Sequence, residues 1–114
     1  MSLEEMREHQ RTPVRWRAAL ILAGNPNQIC KGLTIEVSKG GVGLHTEKQI
    51  PVGTHAKLML EIPGPAVGSK THLQQDVQVV HSSLIGNISQ FRTGLRFKNL
   101  SAENERILSR FIRS

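Results

Sequence analysis

Polar and apolar positions alternate in a succession of short runs, the period-2 signature of half-buried strands. From Val14 onward, Val14, Trp16, Ala18, Leu20 and Leu22 share one face; Arg15, Arg17, Ala19 and Ile21 share the other. Gly24-Asn25-Pro26-Asn27 carries turn chemistry. A second strand is predicted over 31–37, with Leu33, Ile35 and Val37 facing in and Thr34, Glu36 and Ser38 facing out. After the tight loop Ser38-Lys39-Gly40-Gly41, a short third strand begins with Val42, Leu44 and Thr46. Pro51-Val52-Gly53-Thr54 turns the chain into the cleanest alternation, 55–62, with Ala56, Leu58, Leu60 and Ile62 inside. Pro63-Gly64-Pro65 ends that strand and 66–70 is loop. A fifth strand over 71–83 puts Leu73, Val77, Val79 and His81 on one phase, Gly86-Asn87 turns, and a sixth over 90–97 carries Leu95 and Phe97 inward.

The period then changes. Ser101 is placed to cap a helix, and Glu103 and Glu105 fall in its first turn, where the helix dipole favours negative charge. Ile107, Leu108, Phe111 and Ile112 follow at helical spacing, with Arg106, Arg110 and Arg113 on the other side. The apolar face packs on, or plugs, the sheet; if the last turn projects past it, Phe111 and Ile112 are available for a homodimer contact. The pattern as a whole predicts a mainly β fold: a small six-stranded antiparallel barrel closed by one C-terminal α-helix from about 101. Residues 1–10 read as a polar, flexible arm, and 11–114 as a single domain.

Charge narrows the partners. The 114 residues carry a formal net charge of +6, which favours an anion: nucleic acid, nucleotide, acidic lipid or acidic protein. The lone Cys30 excludes an internal disulfide and, following a turn with no activating partner, reads as inert. The start is polar and acidic, without the basic flank and apolar run of a signal peptide. No stretch approaches the roughly 18 apolar residues of a membrane span, so a cytoplasmic protein is expected. The five histidines have no metal-ligand spacing. No nucleophile–base pair or carboxylate pair stands out, so neither an enzyme nor a metal protein is expected. Single-stranded nucleic acid is disfavoured: its binding needs aromatic stacking platforms, and the one Trp and three Phe read mostly as core.

Two stretches carry candidate chemistry. In Gln10-Arg11-Thr12-Pro13-Val14-Arg15-Trp16, Pro13 biases Thr12 to an extended conformation. Arg11 and Arg15 then point the same way along an extended arm, about 13 Å apart, the size of a dinucleotide. A guanidinium fork makes two parallel bonds to phosphate or to guanine O6/N7. In Glu36-Val37-Ser38-Lys39-Gly40-Gly41, a carboxylate can accept from the N1–H and N2 edge of guanine. Ser38 can reach a phosphate or hold the loop shape, and the glycines permit a left-handed turn and close approach of a ligand. Without a ligand, Glu36 can pair with Arg15 or Arg17 across strands.

At these residues the sequence resembles the PilZ domain family. Arg11 to Arg15 is similar to its RxxxR motif and Glu36 to Gly41 to its (D/N)xSxxG motif, and Gly94-Leu95-Arg96-Phe97 before a helix is also like the family. The resemblance implies a six-stranded barrel that binds the bacterial second messenger cyclic di-GMP, with no other cofactor. Arg11 and Arg15 would grip phosphate and guanine, Glu36, Ser38 and Gly41 would hold a guanine on the outer wall, and Gln10, Lys39 and Gly40 would add loop contacts. Ordering of the arm would signal to an effector protein, in a motility or biofilm context. The alternative is a PilZ-like adaptor that binds the nucleotide weakly or not at all. Glu36 stands where the family has Asp or Asn, and its extra methylene moves the acceptor by more than about 1 Å.

Overall fold

The computed structural model describes residues 11–24, 27–86 and 89–112. The proposed arm 1–10, Gln10, Asn25, Pro26, Asn87 and Arg113 lie outside these. Six strands form: β1 (Thr12–Leu22), β2 (Ile29–Val37), β3 (Gly41–Thr46), β4 (His55–Pro63), β5 (Lys70–Ile85) and β6 (Gln90–Phe97). They close into a barrel in the order β1-β2-β3-β6-β5-β4, every neighbouring pair antiparallel. Closure leaves no unpaired edge, which is how so short a β chain satisfies its backbone polar groups.

The alternating apolar faces meet inside. Trp16, Ala18 and Leu20 of β1, Val42 and Leu44 of β3, and Leu58, Leu60 and Ile62 of β4 are buried, joined by Leu73, Val77 and Val79 of β5 and Leu95 of β6. Ile50, from the connection between β3 and β4, adds a core side chain that strand periodicity does not predict. Gln75 is also in the core phase; its amide donates to the carbonyls of Lys98 and Asp76 and accepts from Asn104, so the polar group is paired.

Strict alternation fails in two strands. On β2 it is Thr34, fully buried, that faces the core, while Leu33 and Ile35 are only half-buried. The cause is a β-bulge: pairing with β3 slips between Thr34 and Glu36, so the inward phase passes from Thr34 to Val37 across three residues instead of two. On β5 the pairing with β6 slips between Val79 and His81, and His81 is exposed on the outer wall rather than inside.

The helix α1 (Ala102–Ser109) starts at Ser101, whose hydroxyl accepts from the Asn104 backbone N–H at 3.1 Å, with Glu103 and Glu105 in the first turn. Leu108 is its core anchor. The N–H groups of Phe111 and Ile112 both return to the Leu108 carbonyl, at 3.0 and 3.3 Å, and fold both side chains back onto the core. The Phe111 ring meets Trp16 edge-on, centroids 5.1 Å apart at 76°. Such a pair contributes about 0.5–1.5 kcal/mol beyond its buried area. The helix thus covers the barrel end where β1 and β3 begin and β2 and β6 finish, the end that carries the Ser38–Gly41 loop.

Candidate functional site

Pairing registers align five residues of different strands in one row across the outer wall: Pro13, Glu36, Gly43, Gly94 and His81. Glu36 is the charged centre of this row. Arg11 Nη1 donates to Glu36 Oε1 at 3.3 Å, and Arg92 Nη2 donates to the same oxygen at 2.7 Å. The Glu36 side chain is 21% exposed, against 52% for Arg11 and 40% for Arg92, so the longer bond is also the wetter one. Exposed ion pairs contribute only about 0–1 kcal/mol. The arrangement therefore orients groups more than it stabilises the fold.

The two sequence stretches do converge. Thr12 pairs with Val37, which brings Arg11 alongside the end of β2 and its loop. Arg15 lies in a second bulge, where the β1–β2 register slips between Pro13 and Trp16; it is exposed and without a side-chain partner among the described residues. Glu36 pairs with neither Arg15 nor Arg17; Arg11 and Arg92 both contact its Oε1.

In the loop, the Ser38 hydroxyl accepts from the Gly40 N–H at 3.2 Å and donates to the Gly41 carbonyl at 3.4 Å, while the Ser38 N–H donates to the same carbonyl at 2.9 Å. Ser38 here holds the loop. The Gly40 carbonyl accepts from the Phe97 N–H at 2.9 Å, tying the loop to β6; Lys39 is exposed. The expected left-handed turn is not there: neither Gly40 nor Gly41 has a positive φ. Gly41 is required for another reason. A Cβ on it would run into the Leu95 carbonyl group of β6, 2.9 Å from the carbon, so glycine is what lets β3 approach β6. Beside the loop, a cavity of about 290 Å³ opens between Ser38 and Lys39 and the α1 region, floored by Phe97, Leu100, Leu108 and Ile112.

Arg92 and Gly43 are site residues that the sequence does not point to. Arg92 belongs to the same outward phase of β6 as Arg96, which is legible. That β6 lies beside β3, bringing Arg92 within reach of Glu36, depends on the barrel order. A Cβ on Gly43 would stand 2.9 Å from both Cγ and Oε1 of Glu36, so the Glu36 side chain reaches Arg92 across the space glycine leaves open.

Among the described residues, no three His, Cys, Asp or Glu side chains are grouped to hold a metal ion. Among the same residues, no helix is long and apolar enough to cross a membrane. Burial raises the Cys30 thiol above its ordinary pKa.

No curated protein matches the sequence. Among solved structures, the chain is similar to the inhibitor of motility MotI/DgrA of Bacillus subtilis, with 14% identity, a TM-score of 0.75, and 92% of this chain against 48% of that one covered. It is similar to the PilZ domain of Escherichia coli YcgR with c-di-GMP, with 23% identity, a TM-score of 0.67, and 93% and 88% covered. Against YcgR in complex with c-di-GMP the TM-score is 0.70 at 23% identity, with 91% and 43% covered. The chain thus spans about half the length of the motility inhibitor and of the longer YcgR chain. At these identities the likeness establishes the fold. Sequence and fold agree, because residues 5–114 match the PilZ domain: the chain belongs to the PilZ family.

Proposed function

We propose that this PilZ domain is a non-enzymatic, cytoplasmic receptor for cyclic di-GMP, read by a partner protein. The observation that carries the reading is the Arg11–Glu36 ion pair, which unites the RxxxR arm and the ExSxxG corner on one patch of outer wall. The 3.3 Å bond, half open to water, is readily exchanged: a ligand phosphate takes Arg11 while Arg92 retains Glu36. Arg15 is free to take a second phosphate or the O6/N7 edge of guanine. Glu36 offers its remaining acceptor positions to the guanine N1–H and N2 edge. The Ser38–Gly41 loop shares the 290 Å³ cavity with the α1 region, so a ligand seated on the corner acts on a helix as well as on the arm. Bound c-di-GMP in the similar YcgR structure supports the choice of ligand.

Isothermal titration calorimetry with cyclic di-GMP tests this. Four or five contacts of this kind give micromolar affinity or better, roughly −8 kcal/mol. Arg11→Ala and Arg15→Ala should each abolish most of the heat. No heat from the wild-type protein at tens of micromolar, about the concentration such an affinity requires, refutes the receptor reading.

One observation favours a second reading, an adaptor with little or no nucleotide affinity: both arginine contacts already converge on the carboxylate that guanine would need. On that reading Glu36→Asp, which shortens the side chain, raises the affinity from a low level.

A further inference from the structure

Glu36 is longer than the Asp or Asn of the family motif, and the outer wall has two features that match the extra length. Gly43 leaves open the space above β3, and Arg92 stands beyond it with its guanidinium 2.7 Å from Oε1. The three residues come from β2, β3 and β6, which lie side by side in the barrel although β6 is remote from the other two in sequence. We infer that Arg92 is a positioning residue: it holds Glu36 across Gly43 in the orientation that presents its carboxylate to a guanine edge. This rests on the receptor reading above and extends it to a residue outside both motifs.

The physical argument concerns order of exchange. When a phosphate withdraws Arg11, the carboxylate loses one of its two cations. Without Arg92 it would be left with none in this structure, and a free Glu side chain gains rotamer freedom that must be given up again on meeting the base. With Arg92 in place, Glu36 stays paired and in one orientation, so the acceptor is ready before guanine arrives. Arg92 is 40% exposed and packs no core, so its removal leaves the barrel intact.

The test is a double-mutant cycle read by calorimetry with cyclic di-GMP, the fold being monitored by thermal melting. Arg92→Ala should weaken binding about tenfold, the scale of one lost charge-assisted hydrogen bond's worth of positioning. Gly43→Ala should do the same, because its Cβ would displace the Glu36 side chain from the crossing. In a Glu36→Asp background both effects should shrink below about twofold, since the shorter carboxylate no longer spans Gly43 to Arg92. A merely structural role for Arg92 predicts equal losses in the two backgrounds and overturns the inference, as does wild-type affinity in Arg92→Ala. Absence of binding by the wild-type protein is a different result: it removes the receptor reading itself, before any variant is compared.

Discussion

Two of the three threonines buried in the barrel give opposite predictions for one substitution. Thr34, Thr46 and Thr93 are 0–1% exposed. Thr46 Oγ1 donates to the Lys48 carbonyl at 2.8 Å, which leaves Thr93 as the donor in the 2.9 Å bond between the two hydroxyls. The Thr34 hydroxyl has no partner among the described residues. A buried hydroxyl left unpaired costs about 1–3 kcal/mol, whereas a satisfied one contributes about 1 kcal/mol. Valine keeps the branched shape and the strand preference of threonine while removing the hydroxyl. Thr34→Val should therefore stabilise the protein by about 1 kcal/mol and Thr93→Val destabilise it by about 1 kcal/mol, a spread of ~2 kcal/mol. For a chain of 114 residues this is about 4 °C in Tm in each direction. Urea unfolding followed by Trp16 fluorescence measures it, with the slope unchanged between variants. If Thr34 faced solvent, as unbroken alternation along β2 implies, the valine would change stability by less than about 0.5 kcal/mol. A neutral or destabilising Thr34→Val would refute both the buried orphan hydroxyl and the bulge that creates it.

Gly41→Ala should unfold the ligand-free protein at markedly lower urea, by about 2–4 kcal/mol, since β3 must lift from the Leu95 carbonyl and shed ladder bonds; an unchanged midpoint would show that the strands have room to spare. Phe111→Leu should cost about 1 kcal/mol by removing the edge-on contact with Trp16 and shift the Trp16 emission; an unaltered spectrum would place the ring elsewhere. Burial holds the Cys30 thiol above its ordinary 9.0, so the folded protein retains that proton more tightly than the unfolded chain. Its contribution to stability is present below pH 9.0 and is lost as pH rises through the raised value. Alkylation at pH 8 should accordingly be slow when folded and fast in urea, and equal rates in both would contradict the burial.

The six strands, the helix and the inward phases of β1 and β4 were legible because each has a clean period or a punctuated end: Ser101 caps, and Gly24, Pro51 and Gly86 turn. Arg11 and Glu36 were legible as candidates because two motifs occur in order. What alternation does not carry is lateral order. Nothing in Arg92-Thr93-Gly94 says that β6 lies beside β3, so the second cation of the Glu36 pair appears only once the strand order is known. The glycines misled for a related reason. Gly41 and Gly43 look like turn residues in a row, yet both are required by neighbours, Leu95 and the Glu36 side chain, that are remote in sequence.

The misread phases have a common cause, and it lies at the site. Had β2 continued to alternate from buried Thr34, Glu36 would have pointed into an apolar core, where an unpaired carboxylate costs several kcal/mol. The extra residue at that slip turns Glu36 outward and restores Val37 to the core. On β5 the slip after Val79 does the same for His81, leaving the small penalty of an exposed Val80. The slip on β1 frees Arg15 from the ladder opposite β2. All three bulges border the same row, Pro13–Glu36–Gly43–Gly94–His81. Bulges bend a strand and re-aim its side chains, and a closed barrel accommodates them best where several strands bend together. The seam that lets the barrel keep its core apolar is thus the same line that gathers Arg11, Glu36 and Arg92 on the outside. Strict alternation breaks here because one face of each strand must serve the core while the other carries the Arg11–Glu36–Arg92 charges.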